Sequence, residues 1–248
     1  MVATHKKYWM PEDKVYLPLH VGAEGKADLG YIKDNTGDNI SAKNPNYCEL
    51  TGLYWAWNNL QADYIGLVHY RRYFTRKEVY SISLKKKQIL CTEEWESLLS
   101  NYSVVVADKR KYYIETNRSH YNHAHPSIGL DETETIIKEK YPDYSEAFAT
   151  VMNRTWAHMF NMFVMRQDLF LQYCQWLFNI LFELEKRLDL SEFDAYNSRV
   201  FGFVSERLLD VWLEKQQIPY YEKNVSFMEP QNWIKKGGLF LKRKVFGK

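Results

Sequence analysis

The residues best equipped for chemistry sit where an apolar run, Tyr64-Ile65-Gly66-Leu67-Val68, stops abruptly at His69-Tyr70-Arg71-Arg72. A guanidinium carries a planar fork of donors that matches phosphate oxygens, and it keeps its charge at any working pH. Arg71 and Arg72 therefore read as a grip on a diphosphate that also offsets the negative charge as that group departs, with His69 orienting it. The plainer alternative is two arginines at a strand exit, matched to surface carboxylates. An apolar strand ending in polar groups is how an α/β sheet delivers side chains to its carboxyl edge, where ligands bind, which favours the first reading.

Proton abstraction needs a carboxylate held partly out of water. Phe201-Gly202-Phe203-Val204-Ser205-Glu206-Arg207 sets Glu206 in an apolar helix, where desolvation would raise its pKa toward that of a useful base. Asp108, at the end of the apolar run 102–107, is the second choice. The alternative for Glu206 is an intrahelical pairing with Arg207 or Asp210 on a solvated face. His120, His123 and His125 are the densest imidazole cluster, but their spacing matches no zinc pattern. An exposed histidine loop, or contacts to an acceptor or a phosphate through His120 and His123, are the other readings. Trp156 could stack on a sugar. His158 is costly to bury without a partner, so it either satisfies backbone or faces a ligand, and the same holds for Asn161.

Several elements must position these groups. Residues 2–5 read as a first strand with few residues ahead of it, as if shortened at its start. Residues 15–21 read as a second strand, with Pro18 arguing for an edge. The Gly-, Asp- and Asn-rich residues 22–41 read as a long loop of the kind that binds ligands. A helix beginning at Asn46 or Tyr47 carries Glu49, Leu50, Leu53, Tyr54, Trp57 and Leu60 at helical spacing. Residues 63–74 form the central strand and its exit, 79–89 a polar mobile stretch, 92–99 a helix capped by Thr92, and 102–107 another strand. Residues 131–140 and 144–152 read as helices split at Pro142, 156–165 as an apolar run of either kind, and 168–188 and 197–216 as long helices. Strands interleaved with helices, then mostly helices, indicate an α/β sheet with a helical second half.

The composition is 46% hydrophobic, enough for a sizeable core, and the net charge of +2 lacks the excess expected of a nucleic-acid binder. Aromatics reach 16%, with 19 Tyr and 8 Trp, and flat rings with one polar tip suit sugars and bases as well as cores. Three widely spaced cysteines form neither a disulfide framework nor a metal site, so the cytosol is the expected compartment. No apolar run approaches the about 20 residues that span a bilayer, and no secretory leader is read ahead of the first strand. Residues 233–248 interleave Lys235, Lys236, Lys242, Arg243, Lys244 and Lys248 with Trp233, Leu239, Phe240, Leu241, Val245 and Phe246. They read as a basic amphipathic tail touching an anionic membrane, with a disordered tail as rival. Residues 1–232 read as a single domain.

Asp38-Asn39-Ile40-Ser41, Asn46-Tyr47-Cys48-Glu49-Leu50-Thr51, Tyr54-Trp55-Ala56-Trp57, residues 63–74 and Arg199-Val200-Phe201-Gly202-Phe203-Val204-Ser205-Glu206-Arg207 together resemble a bacterial capsular and exopolysaccharide biosynthesis family. That family is long known as a domain of unknown function, and members are associated with galactofuranosyl transfer in O-antigen and capsule assembly. The resemblance implies a GT-A-like α/β fold, a mixed and mostly parallel sheet flanked by helices. It implies a nucleotide-sugar transferase acting on a lipid-linked or growing saccharide at the inner face of the plasma membrane. On this view the donor is UDP-galactofuranose and the transfer inverting, with Glu206 or Asp108 as base. His69, Arg71, Arg72, Asp38, Asn39, Glu49 and Thr4 would bind the donor, and Trp156, His158, His120 and His123 the acceptor.

GT-A enzymes typically hold a divalent ion through an Asp-x-Asp pair, yet here no two aspartates are separated by a single residue. Cationic side chains are expected in its place, with no cofactor and no metal ligand. The rival functions are an inert glycan- or nucleotide-binding subunit, and a metal-dependent hydrolase built on the three histidines.

Overall fold

A computed structural model describes residues 1–229, so the tail read at residues 233–248 lies outside the described residues. In chain order the strands and helices are β1 (Val2–Thr4), β2 (Pro18–His20), β3 (Ile32–Lys33), α1 (Asn44–Tyr47), α2 (Leu50–Asn59), β4 (Tyr64–His69) and β5 (Arg72–Phe74). Then come α3 (Ile82–Gln88), α4 (Thr92–Leu99), β6 (Val104–Ala107), β7 (Arg110–Lys111), α5 (Asn117–Ala124), α6 (Ile128–Lys140) and α7 (Ser145–Asn153). The last are β8 (Trp156–Ala157), β9 (Phe163–Arg166), α8 (Gln167–Arg187), α9 (Val200–Gln216), β10 (Tyr221–Lys223) and β11 (Val225–Phe227).

The main sheet runs β10-β6-β9-β4-β1-β2-β3, with β5 attached to β4 and β11 to β5. Strands β4, β1, β2 and β3 are mutually parallel, and β9 enters antiparallel between β4 and β6. This mixed, mostly parallel sheet flanked by helices is the expected GT-A-like α/β class. Period-two alternation divides its core. Ala3, Ile65, Leu67, Val104 and Val106 face a large helical layer, while Val2, Val68, Val105 and Ala107 face a smaller cluster with Trp95 of α4. On the large side α8 buries Phe170, Tyr173, Cys174, Leu177, Phe178, Leu181 and Leu184, a spacing of three and four that makes one continuous apolar stripe. Gly66 lets β9 approach β4, because a Cβ there would fall 2.8 Å from the Phe163 carbonyl oxygen. No helix among the described residues is long and apolar enough to cross a membrane.

Several expectations change. Strand β2 is interior, between β1 and β3; Pro18 is tolerated because it opens the strand. The long loop contains β3 and is folded around Asp34, whose buried carboxylate accepts from Gly22 N at 2.7 Å, Ala23 N at 3.0 Å and the Thr51 hydroxyl at 2.6 Å. The helix expected from Asn46 is two helices broken at Cys48, whose φ of 52° is left-handed. Strand β4 does not run on into residues 70–74: it turns back at Tyr70-Arg71, and β5 pairs with it antiparallel, His69 opposite Arg72. The polar stretch 79–89 contains α3, helix α4 is capped at Cys91 with Thr92 already inside it, and the histidine cluster starts on α5. The apolar run 156–165 is two strands, β8 and β9, separated by a loop.

Candidate functional site

Three pieces of chain meet beyond the carboxyl ends of β1 and β4. The first is the β4–β5 turn. His69 lies on the last residue of β4, buried, with its Nε2 2.6 Å from the Phe160 carbonyl oxygen. A carbonyl only accepts, so Nε2 donates, and in the neutral ring Nδ1 is left as an acceptor. Burial, the largest influence, lowers the pKa of His69; Glu49 opposes and Arg72 adds to the lowering. Arg72 lies over the Phe160 ring at 4.5 Å and the Phe227 ring at 5.4 Å, and its Nε has no partner among the described residues. Arg71 reaches Glu229 at 3.2 Å and remains partly exposed.

The second piece is the loop of residues 158–162. Phe160 (φ 77°) and Asn161 (φ 53°) both adopt left-handed backbone, a state that costs a bulky side chain about 1–2 kcal/mol and persists only when neighbours enforce it. The neighbours are identifiable. Asp210 accepts from His158 Nδ1 at 2.5 Å and from the His158 backbone N–H at 3.0 Å. The Phe160 N–H donates to Glu206 Oε1 at 3.1 Å, Asn161 Nδ2 donates to Glu49 Oε1 at 2.8 Å, and the Ser205 hydroxyl donates to Asn161 Oδ1 at 2.9 Å.

The third piece is the α1–α2 break against the start of α9. Tyr47 stacks on Phe201 at 4.4 Å, which brings Cys48 and Glu49 beside the first turns of α9. Arg199 donates through Nε to Cys48 Sγ at 3.0 Å. One turn further on, Glu206 pairs with Arg207 at 2.9 Å, and only 16% of its side chain is exposed. Burial raises the Glu206 pKa, Arg207 pulls it back, and Glu49 adds to the rise.

Around this core stands a cationic rim. Thr4 closes a short turn at the end of β1, its hydroxyl donating to the Lys6 carbonyl at 2.6 Å, and so sets Lys6 at the edge. The pKa of neighbouring His5 is lowered by desolvation first, then by Lys6, Arg71, Lys26 and Arg199. Lys6 at 3.9 Å and Arg71 at 3.2 Å share the Glu229 carboxylate, which ties the exits of β1 and β4 together, and Lys26 and Arg199 add positive charge to the surroundings of His5. A concentration of like charge at a sheet's carboxyl edge, with polar groups behind it, is suited to an anionic ligand.

The structure brings together His69, Arg71, Arg72, Glu49, Thr4 and Glu206. It separates the others. Asp108 lies at the end of β6, bonded to Asn224 at 3.4 Å. Asp38 and Asn39 lie alongside α2: the Asp38 carbonyl accepts from Asn59, the last residue of that helix, and Asn39 caps Ser41. His158 is fully buried, with its Nδ1 on Asp210. Both Lys109 (4.6 Å) and Arg154 (4.8 Å) lie over the Trp156 ring, where a sugar would have to stack. His120 stacks on Tyr112 and approaches Arg207, His123 pairs with Glu115, and His125 stacks on Phe203, so the three imidazoles point to different partners. Sequence reasoning missed Arg199, His5, Lys6 and Lys26, which are ordinary surface residues until the fold gathers them. The helix-start position of Arg199, beside the resemblance to residues 199–207, was the available signal.

A histidine and two arginines stand at the exit of β4, and among the described residues no group of three or more His, Cys, Asp or Glu side chains is placed to hold a metal ion.

A family model described as a domain of unknown function, DUF4422, matches residues 1–217. The chain belongs to this family. A search of curated proteins finds no match. Among solved structures, the DUF4422 chain is similar to the WbbM bifunctional glycosyltransferase in its apo form, at 30% identity and a TM-score of 0.85. The similarity covers 92% of this chain and 45% of that one, so the chain spans less than half the length of its structural neighbour.

Proposed function

We propose that this DUF4422 chain is a glycosyltransferase that moves a sugar, galactofuranose by the family resemblance, from a UDP-sugar to a saccharide hydroxyl in bacterial capsule, exopolysaccharide or O-antigen synthesis. The observation that carries the reading is that Lys6 and Arg71, joined through Glu229 at the exits of β1 and β4, stand at the same sheet edge as His69, whose partner Phe160 also bonds Glu206, in a fold shared with a glycosyltransferase. The cations hold the diphosphate and offset charge as the bond from the sugar's anomeric carbon to UDP breaks. The acceptor hydroxyl attacks that carbon from the opposite face, inverting it, and its proton passes to a carboxylate. Glu206 is that carboxylate: it is partly desolvated, its pKa is raised, and the Phe160 N–H and Arg207 fix its orientation. Arg72 and neutral His69 border the same space, and Glu49 holds Asn161 in place.

The test is to incubate the protein with a panel of UDP-sugars, reading the melting temperature and then UDP release with and without saccharide acceptors. UDP-galactofuranose should raise the melting temperature and release UDP only when an acceptor is present. Stabilisation with no transfer to any acceptor would identify an inert binding subunit instead, and no stabilisation by any UDP compound would remove the nucleotide from the account.

A further inference from the structure

The candidate site is bordered by a surface that its chemistry does not use. Two segments leave the sheet side by side, joined through Asn224: its carbonyl accepts from Thr75 N at 2.9 Å, and its side chain donates to Asp108 at 3.4 Å. From Thr75 the chain runs into residues 76–88, and from Asp108 into residues 109–114. Helix α3, within the first segment, has no buried residue. Tyr80 is 98% exposed and Leu84 49% in the first segment, while Tyr113 is 81% and Ile114 71% exposed in the second. Interleaved with them are Lys77, Lys85, Lys86 and Lys87, then Arg110 and Lys111, against one acidic residue, Glu78, in the two segments together. Lys86 lies 4.2 Å from the exposed ring of Trp9, extending the same mixture of aromatic and cationic groups.

Exposed apolar side chains set among lysines and arginines form an interfacial surface: the apolar tips enter the headgroup boundary and the charges meet anionic lipid. A second copy of the chain presenting this face would bring like charges together, which disfavours self-association. The surface also lies close to the site. Lys85 donates to the Phe227 carbonyl at 3.0 Å, and the Phe227 ring lies under Arg72. On the other side, Tyr112 stacks on His120, which in turn approaches the Arg207 that pairs with Glu206.

We infer that residues 76–88 and 109–114 form a bilayer-docking face that seats the protein on anionic lipid with the candidate site at the membrane edge. These segments are distinct in sequence from the basic stretch at residues 233–248, and the inference rests on the transfer reading only in supplying a reason for docking, a lipid-linked acceptor.

The test is cosedimentation of the full chain with vesicles of equal parts phosphatidylglycerol and phosphatidylcholine, against pure phosphatidylcholine. Two sets of substitutions are compared, Tyr80→Ser with Leu84→Ser, Tyr113→Asn and Ile114→Ser, and Lys77→Glu with Lys87→Glu and Lys111→Glu. Asn is chosen at 113 because that residue has a φ of 63°, which Asn tolerates. Each set should lower partition onto the anionic vesicles at least about tenfold, with the melting temperature unchanged, and high salt should release the wild type. Undiminished binding by both sets, equal binding to pure phosphatidylcholine, or no binding by the wild type would overturn the inference. Transfer to a soluble saccharide should be the same in both sets as in the wild type, so failure of the docking face would not be confused with failure of the transfer reading.

Discussion

Among single residues, Glu206 carries the proton transfer. A general base contributes about 10²–10⁴ in rate, so Glu206→Gln should lower turnover at least about a hundredfold, while UDP still raises the melting temperature as in the wild type. A turnover within a few-fold of the wild type would remove Glu206 from the base role. The pH dependence has a definite sign. The base works only when ionised, and burial raises its pKa above the usual carboxylate range, so activity should fall as pH drops through that raised value. The acid limb of kcat should therefore lie above the about 4.3 of an unperturbed glutamate. Fold stability runs the other way for this group: a raised carboxyl pKa contributes stability that is full below its unfolded value and is lost as pH rises through the folded value. Behind Glu206, its partner Arg207 lies 3.5 Å from His120 Nδ1. Burial, then the nearby Arg207 and Arg110, lower the His120 pKa to about 3, which keeps that ring uncharged against the guanidinium.

At the scale of elements, the decisive piece is the loop between β8 and β9, because it touches Glu206, Glu49 and His69 at once. Its anchor is buried, His158 on Asp210. Asp210→Asn should cost about 2–4 kcal/mol in urea unfolding, the range for weakening a buried charged hydrogen-bond pair, and should also lower turnover by releasing Phe160 and Asn161. A loss under about 0.5 kcal/mol would show that the loop holds itself. This loop also marks where the sequence stops being legible. Strands β4 and β6 are plain in it, as Ile65-Gly66-Leu67-Val68 and Val104-Val105-Val106, because burial on both faces demands unbroken apolar residues. Left-handed backbone at Phe160 and Asn161 is not, since neither is glycine and only tertiary bonds enforce it. Helix α5 buries just Asn117 and Tyr121, leaving no apolar stripe to read; its one local signal is the Thr116–Ser119 cap. Strands as short as β3 and β7 exist through pairing with neighbours and have no periodicity of their own.

At the scale of the whole molecule, the sheet order is what turns scattered surface cations into a site. Lys6 follows β1, Lys26 follows β2 and Arg71 follows β4, so the parallel β4-β1-β2 pairing releases all three at one edge, while Arg199 precedes α9 and bonds Cys48 at the α1–α2 break. Glu206 and Glu49 were legible as site candidates from residue type and resemblance; the rim was not, because it belongs to the topology. With cations in place of paired aspartates, transfer should persist in EDTA. Complete loss of turnover in the chelator, restored by Mn²⁺ or Mg²⁺, would contradict that. The rim's binding of a nucleotide diphosphate is measured by calorimetric titration of the full chain with UDP, wild type against Arg199→Ala and Lys6→Ala. The expected result is saturable UDP binding by the wild type, weakened about tenfold or more by each substitution, since a charge-assisted contact to phosphate contributes about 1.5–3 kcal/mol. The contradicting result is no UDP binding by the wild type, or an affinity that neither substitution changes.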